Sequence, residues 1–396
     1  MLIILSFFVK AKVYQLTLEG FHMKGVGSIS ILHVIFLSMT VIGLKNHVTI
    51  IPPLLDVAGR DGWISVLMSS AIIFFWLFLL VYIQKKTNQE PIRDWLDGKI
   101  GKTGSTIIIY SIAIFLFILS AFTMVETLQW VNTTFLPQTP VIMLLLIYTV
   151  LCLLLVTTSL QTIAILNVFV LFGVVVFGFF VAFTNLQVKE YDLLRPFFEH
   201  GFTPVMKGMI YPASGFIELL MLLFLQHQFK ERIRWYHFGI MLFILMGLTL
   251  GPLIGAITEF GPTEAAKQRY PAYEEWGLVS IGRYIEHLDF FSIYQWLTGT
   301  FIRVGFFLYI IADLLKMTGD PKRIWKMLAP PFFLFCLPLI ILNENIFLKV
   351  KGNYILTATF IFFFLLSIFF VLVAFFSNKS SKKGKPEKQE MESGEL

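Results

Sequence analysis

The chain has 396 residues and a formal net charge of +6; apolar residues make up 57% of it and charged residues only 14%. A soluble globular domain usually carries about 25% charged residues, and no soluble core of this size could cover so much apolar surface. The composition, with a mean hydropathy of +0.78, excludes a cytosolic enzyme and predicts a polytopic membrane protein.

Ten apolar runs in the chain are each long enough, at about 20 residues, to cross the hydrocarbon core of a bilayer as a helix. They are too long and too uniform for the strands of a β-barrel, which alternate polar and apolar residues over about ten positions. We therefore predict an all-α membrane protein with ten transmembrane helices. The predicted spans are 28–51, 62–83, 105–128, 140–157, 160–184, 204–228, 236–258, 290–315, 328–345 and 353–376.

Most of the 31 Lys and Arg residues fall in alternate connections between these spans, on the side that also holds both termini. Because basic connections stay in the cytoplasm, we predict that both termini are cytoplasmic. Residues 28–376 then form one transmembrane domain. Residues 1–27 form an N-terminal cytoplasmic segment, in which Met23 is a candidate translation start, and the polar residues 377–396 form a disordered cytoplasmic tail.

Two connections carry patterns of their own. Ile92, Trp95, Leu96 and Ile100 recur at helical spacing among charged residues, which predicts a short amphipathic helix in the cytoplasmic interface, with a partner-docking surface as the alternative. The connection 259–289 combines Tyr and Trp residues with several carboxylates. It predicts an ordered cap on the outer face of the membrane.

Helix-breaking and polar residues interrupt the first and the sixth predicted spans, at Gly43-Leu44-Lys45-Asn46-His47 and at Pro212-Ala213-Ser214-Gly215. Backbone groups freed inside the membrane are tolerated only where they line a cavity or meet a ligand. Interruptions in spans one and six of ten are typical of a five-plus-five inverted repeat, whose broken helices bind substrate near the midplane. Two simple kinks are the alternative explanation.

Charged residues near the middle of a span are expensive and are candidate functional groups. Glu218 lies near the middle of span six and Arg303 near the middle of span eight. They could form a structural ion pair. Alternatively, Glu218 receives a ligand ammonium or a coupled proton, while Arg303 holds a carboxylate.

Four further polar residues have weaker claims to a functional role. Lys45 lies nearer the outer end of its span, where it could instead extend its amino group to the interface. Glu126 and Asp313 lie at the ends of their spans, so residence in the interface is the expectation for both. His33 is expected to be a hydrogen-bonded residue of the helix bundle.

The sequence contains no pattern that predicts an enzyme, a cofactor or a metal site. Cys152 and Cys336 lie far apart in apolar runs, and the seven His residues form no metal-binding pair. No phosphate-binding or dinucleotide-binding loop and no nucleophile motif is present. The basic residues form no soluble face on which nucleic acid could bind. We therefore expect a protein without enzymatic activity.

Four short motifs occur in an order and spacing that extend over most of the chain. They are Asp61-Gly62-Trp63-Ile64, Leu194-Arg195-Pro196, Gly215-Phe216-Ile217-Glu218 and the series Glu286…Asp289…Trp296…Phe301-Ile302-Arg303. Over residues 24–376 the chain resembles the spore germination permeases. These are the membrane-embedded B subunits of nutrient germinant receptors, within the amino acid/polyamine/organocation superfamily.

The resemblance implies a five-plus-five inverted-repeat fold with broken helices one and six, in the spore inner membrane. It also implies assembly with a receptor A subunit and a C-subunit lipoprotein, and binding of a small nutrient, commonly an amino acid, that triggers germination. The nutrient would lie between spans one and six, with spans three and eight as walls. The candidate ligand-binding residues are Gly43, Lys45, Asn46, Ser214, Gly215, Glu218 and Arg303.

The first span departs from the superfamily pattern, because Lys45 and His47 flank Asn46 where compact residues are common. A fixed ammonium at this position would repel a cationic group of the ligand. Three functions stay open. The first is a germinant-receptor subunit, the second is a proton-coupled amino-acid permease in which Glu218 carries the proton, and the third is a structural membrane partner that binds no ligand.

Overall fold

The computed structural model describes residues 28–282 and 288–382, and its regular elements in these ranges are helices, with one isolated backbone bridge between Ile29 and Phe229. Three parts of the chain lie outside the described residues: the predicted N-terminal segment with its candidate start at Met23, the motif residue Glu286, and residues 383–396.

We number the α-helices in chain order. They are α1 (Ile31–Leu44), α2 (Ile51–Ala58), α3 (Gly62–Thr87), α4 (Ile92–Thr134), α5 (Val141–Val156), α6 (Leu160–Thr184), α7 (Phe202–Gly208), α8 (Ile210–Phe216), α9 (Trp235–Phe260), α10 (Pro262–Lys267), α11 (Pro271–Gly277), α12 (Phe291–Leu314), α13 (Pro321–Ile341), α14 (Glu344–Val350) and α15 (Leu356–Lys382).

Nine helical stretches in the described part of the chain are long and apolar enough to cross a membrane, and α5 is a tenth, shorter apolar helix of 16 residues. Their lengths follow from the uninterrupted apolar runs, because a buried helix satisfies all of its own backbone hydrogen bonds in lipid. The predicted all-α membrane fold is confirmed. The five-plus-five inverted repeat stays a prediction.

The first span is irregular where the sequence predicts an interruption, but its backbone stays helical. After α1 the chain forms a π-helical turn over Lys45–Thr49, in which the Ile50 amide donates to the Lys45 carbonyl at 3.2 Å. The chain then continues directly into α2. Such a wider turn often marks a functional position in a helix.

The sixth span is interrupted once and then changes its helix type once, instead of unwinding. Pro212 has no N–H to donate to the carbonyl of Gly208, where α7 ends, so the regular α-helical hydrogen bonding lapses between α7 and α8. A 3₁₀ helix then extends over Ile217–Gln228. Twelve residues are unusually many for a 3₁₀ helix, whose hydrogen-bond geometry is poorer than that of an α-helix.

The sixth and eighth spans form the centre of the bundle. In the stretch Phe202–Gln228, 94% of the apolar window is buried inside the protein, and in Leu288–Leu314 the share is 78%. The other seven long stretches bury only 28–56% and leave the rest of their surface for lipid. Side chains of the two central spans are therefore shielded from both lipid and water.

The short helix predicted at residues 92–100 is present as the first part of α4, which is interrupted at Gly101 by a non-helical backbone conformation (φ 76°, ψ 162°). Its apolar face packs on the bundle instead of facing lipid. Trp95 and Leu96 are buried, and the Trp95 ring meets Phe370 edge-on, with 6.2 Å between centroids.

The connection predicted as a cap contains the two short helices α10 and α11 within its described part, residues 259–282. Tyr270 and Trp276 from this region are buried. We call α10, α11 and the chain between them the cap, and the adjoining end of the bundle the cap end.

Candidate functional site

Three of the predicted site residues meet at the centre of the bundle as a buried charge cluster, which we call the central triad. The Glu218 carboxylate accepts hydrogen bonds from Arg303 Nη1 and Nη2 at 2.7 and 2.9 Å and from Lys45 Nζ at 3.0 Å. Residue exposure is 0% for Glu218, 2% for Arg303 and 5% for Lys45. The predicted Glu218–Arg303 pair therefore has Lys45 as a third member.

The local backbone places each member of the central triad. Lys45 is the first residue of the π-helical turn, and Glu218 is the second residue of the 3₁₀ helix. Lys45 Nζ also donates to the Ser214 carbonyl at 2.8 Å. Arg303 extends from the middle of α12, and its guanidinium donates to the Val41 carbonyl. The two irregular spans thus supply both side chains and backbone carbonyls to the triad.

Asn46 and Gly215 hold the two irregular spans close together. A Cβ atom on Gly215 would lie 1.7 Å from Asn46 Oδ1, so only glycine permits this approach. Asn46 is fully buried and donates from Nδ2 to Thr249 Oγ1 at 3.3 Å, while its Oδ1 has no partner among the described residues. Both candidate site residues therefore lie beside the triad.

Gly43 and the Ser214 hydroxyl take structural positions. A Cβ atom on Gly43 would lie 3.2 Å from Leu248 Cδ1, so this glycine serves close packing of α1 against α9. Ser214 Oγ donates to the Tyr211 carbonyl at 2.7 Å. The contribution of Ser214 to the central triad is its backbone carbonyl.

A second buried ion pair lies beside the triad, and sequence reasoning missed it. Glu126 and Lys351 form a salt bridge, with residue exposures of 3% and 7%. Thr49 connects the two: its Oγ1 donates to Glu126 Oε2 at 3.1 Å and accepts from Lys351 Nζ at 3.0 Å. The expectation that Glu126 resides in the interface is wrong.

The predicted tenth span, 353–376, leaves Lys351 in a connection, and this boundary is wrong. The helical stretch begins at Glu344, so Lys351 lies about two turns inside it, at the start of a π-helical turn. The signal in the sequence was weak because Lys349, Lys351 and two Asn residues make the beginning of this helix look like a loop.

The other three polar residues named from the sequence, Lys45, Asp313 and His33, each have a polar partner in the structure. Lys45 does not reach the interface, because its amino group turns inward to the triad. Asp313 is partly buried at the end of α12 and accepts a hydrogen bond from Gln228 Nε2 at 2.8 Å. His33 has a hydrogen-bond partner, as expected: its Nδ1 lies 2.7 Å from Ser30 Oγ.

A small cavity of about 20 Å³ lies between the central triad and the second ion pair. This volume has room for about one water molecule. The cavity side of the triad consists of Lys45 and Arg303, while Glu218 lies behind them. The residues that line the cavity are Leu44, Lys45, Thr49, Leu119, Phe122, Thr123, Glu126, Trp296, Arg303, Lys351, Ile355, Leu356 and Thr359.

The charges of this region do not cancel. Lys45, Arg303 and Lys351 carry three formal positive charges, whereas Glu218 and Glu126 carry two negative ones. The region therefore has a formal excess of one positive charge in an environment shielded from water. An arrangement of this kind can bind and orient an anionic group.

Stacked aromatic residues connect the cavity wall to the cap. Trp296 lines the cavity and stacks on Trp130, with 4.2 Å between ring centroids. Tyr270 meets Trp296 edge-on at 4.4 Å, and the Arg269 guanidinium lies 4.9 Å from the Tyr270 centroid. A movement of the cap would therefore act on Trp296 in the cavity wall through Tyr270.

Within the described residues, no group of three or more His, Cys, Asp and Glu side chains is arranged to hold a metal ion. Cys152 and Cys336 are both buried free thiols. Two of the four motifs meet away from the cavity: the Phe198 amide, just beyond Leu194-Arg195-Pro196, donates to Asp61 Oδ1 at 3.1 Å. These motifs therefore join the start of α3 to the loop before α7 instead of building the site.

The fold and the site together define an integral membrane protein with buried charges around a small central cavity. A family model described as "Spore germination protein" matches residues 27–347, so the chain belongs to the spore germination permease family. This confirms the resemblance seen in the sequence. The chain is a germination-related membrane protein, and its family is one of germination permeases and receptor subunits.

Curated relatives support the same conclusion. Spore germination protein XB of Bacillus anthracis is 45% identical over 281 residues, which cover 71% of this chain and 79% of that protein. Spore germination protein A2 of Bacillus subtilis (strain 168) is 23% identical over 262 residues, which cover 65% of this chain and 71% of that protein.

Proposed function

We propose that this chain is the ligand-binding membrane subunit of a spore nutrient germinant receptor, and that the small nutrient binds beside the central triad. The single observation that carries the proposal is the buried group of Lys45, Glu218 and Arg303 next to a cavity. Binding shifts the conformational equilibrium of the helices that surround the cavity, and this shift triggers germination.

Energetics support a functional role for the triad. Removing charges from water is costly, and well-packed apolar side chains often stabilise a core at least as well as a buried ion pair. A bundle that needed only stability would gain little from two cations around Glu218. The two helix-type changes at Lys45 and Ile217 also occur beside these charges, where alternative helix geometries can respond to a ligand.

The family and the names of the relatives support a place in a receptor complex. We propose that the partners are a receptor A subunit and a C-subunit lipoprotein, and that the complex resides in the spore inner membrane. Both chain termini then face the cytoplasm, and the cap faces the outer side. In this role the chain has no enzymatic activity.

A germination assay tests the proposal directly. In spores that carry Glu218→Gln, the nutrient concentration for half-maximal germination should rise at least tenfold, because the amide no longer accepts the three hydrogen bonds that hold Lys45 and Arg303 in place beside the cavity. Glu264→Gln is the matched control, since Glu264 is exposed in the cap and forms a salt bridge with Lys267. An unchanged response at equal protein level would show that the triad is not in the ligand site and would favour the structural-partner function.

The alternative is a proton-coupled amino-acid permease in which Glu218 carries the proton. Its support is the same buried carboxylate, since a proton carrier must be shielded from bulk water. Uptake of radiolabelled nutrient into proteoliposomes separates the two functions. Sustained accumulation driven by a proton gradient, and its loss in Glu218→Gln, would establish the permease.

A further inference from the structure

The cavity presents positive charge to whatever enters it. Lys45, Arg303 and Lys351 line it, and Glu126 is the one carboxylate among its lining residues. Glu218 contributes its charge from behind Lys45 and Arg303, so the whole region keeps one positive charge in excess. A neutral or zwitterionic ligand leaves this excess in place, whereas a monoanion cancels it.

The three cations also keep hydrogen-bond donors for a ligand. Lys45 and Lys351 each carry three N–H donors, and each contacts two acceptors. Arg303 carries five N–H donors and makes four contacts. Each cation therefore has one donor for which the described residues supply no acceptor. A carboxylate, with two oxygens and about four lone-pair directions, suits such a set of donors.

We propose that the ligand of this site is a small monocarboxylate without an ammonium group, such as a short unsubstituted or 2-hydroxy carboxylic acid. The inference rests on the proposed function and names the chemical class of the nutrient. The ligand carboxylate binds between Lys45, Arg303 and Lys351 and supplies the missing negative charge.

An α-amino acid fits this site poorly because its ammonium has no carboxylate to meet. Glu218 is engaged by two cations, and Glu126 is engaged by Lys351 and Thr49. An additional ammonium would enter a region that already holds three cations. Repulsion between like charges is strong in a site shielded from water.

The size of the cavity restricts the ligand to few atoms. At about 20 Å³ it holds one water molecule or one monatomic anion, so a carboxylic acid binds with some displacement of the lining side chains. Leu119, Phe122 and Leu356 provide an apolar lining for a short hydrocarbon chain. A halide ion has the same single charge, and the experiment must distinguish it from an organic anion.

Two organic probes of matched size and different charge, together with a halide that has the same charge as the first, test the inference on the full chain in lipid nanodiscs, in a chloride-free buffer. The probes are sodium L-lactate, L-alanine and sodium bromide. Because Trp296 lines the cavity, tryptophan fluorescence reports binding, and Trp296→Phe identifies the part of the signal that comes from this site. We expect lactate to bind saturably and at least tenfold more tightly than alanine.

Three results would overturn the inference: alanine binds as tightly as lactate, bromide alone binds, or no probe binds. The first leaves the proposed function intact, because a nutrient still binds at the site. In the other two cases the germination response of Glu218→Gln spores decides the proposed function separately.

A charge variant adds a second readout that a purely structural role would not produce. Glu126→Gln raises the formal excess from one positive charge to two, so lactate affinity should increase at least threefold. Glu264→Gln, on the exposed surface of the cap, should leave the affinity unchanged. Equal lactate affinities in wild-type and Glu126→Gln protein would count against the inference. The probe comparison on the wild-type chain needs neither variant to fold.

Discussion

The central triad, which is buried, and a cluster at the cap end, which is partly buried, are groups of three charged residues with opposite composition. The triad has two cations and one carboxylate. The cap cluster has two carboxylates, Glu259 of α9 and Glu275 of α11, with Lys189 as its cation; Lys189 Nζ lies 3.4 Å from Glu259 Oε1. The sign of the uncancelled charge is therefore positive at the centre and negative at the cap end.

The two clusters also differ in how well their carboxylates are satisfied. Both oxygens of Glu218 accept charge-assisted hydrogen bonds. In the cap cluster, Asn185 Nδ2 donates to Glu259 Oε2 at 2.9 Å, whereas Glu275 Oε1 has no partner among the described residues. Burial, and then the nearby Glu259 carboxylate, raise the pKa of Glu275 well above its ordinary value of 4.5.

The comparison teaches that buried charge of either sign needs a compensating partner, and that the sign decides which one. The central triad is completed by an anion, and we propose that this is the ligand. The cap cluster is completed by a proton on Glu275. One region is therefore expected to respond to ligand charge and the other to pH.

The largest expected effect is on the central triad. Arg303→Leu removes the bidentate partner of Glu218 and leaves its carboxylate with Lys45 alone. Loss of one partner of a buried pair typically costs about 3–5 kcal/mol of folding free energy, so the yield and melting temperature of the purified protein should fall sharply. Arg323→Leu, at an exposed position, is the control. Equal melting temperatures of the wild-type and Arg303→Leu proteins would show that Arg303 does not form the buried ion pair with Glu218 that the structure contains.

At each cluster a polar side chain lies very close to a glycine, and the two distances differ, so the cost of adding a Cβ atom can be compared between the clusters. A Cβ atom would lie 1.7 Å from Asn46 Oδ1 at Gly215, and 2.8 Å from Glu275 Oε1 at Gly255. Steric overlap of this kind typically costs about 1–3 kcal/mol, so we expect Gly215→Ala to lower the melting temperature more than Gly255→Ala.

Gly247→Ala in α9 is the matched control for both glycine variants, because nothing lies within 4 Å of its Cβ position. Alanine is the better helix former there, by about 1 kcal/mol, so this variant should be neutral or stabilising. If all three variants melted alike, close packing would not distinguish the clusters.

The smallest expected effect is the pH dependence of the cap. The pKa of Glu275 is higher in the folded protein than its ordinary 4.5, so folding is favoured by its protonated form. Stabilisation from this group is complete below about 4.5 and is lost as the pH rises toward the folded-state pKa, by at most about 1.4 kcal/mol per pH unit. Melting curves of wild-type and Glu275→Gln protein at several pH values measure the difference. Parallel pH profiles would contradict the role of this carboxylate.

Several features could be predicted because they depend on local sequence. Long apolar runs determined the membrane helices, and Glu218 and Arg303 attracted attention because they interrupt such runs near the middle. The buried pair of Glu126 and Lys351 was not predicted, because both residues lie near apparent helix ends, where charged residues are ordinary. In the folded protein Lys351 contacts Glu126 and Thr49, which come from distant parts of the chain.

The sequence by itself determined the class of protein, its helices, its family resemblance and two of the buried charges, since hydropathy and helix formation act over neighbouring residues. Only the tertiary structure decided that Lys45 joins Glu218 across 173 positions and that Arg303 joins it across 85. The excess positive charge of the cavity is a property of that assembly. Electrostatic interaction depends on distance in space, and folding alone brings these charges together.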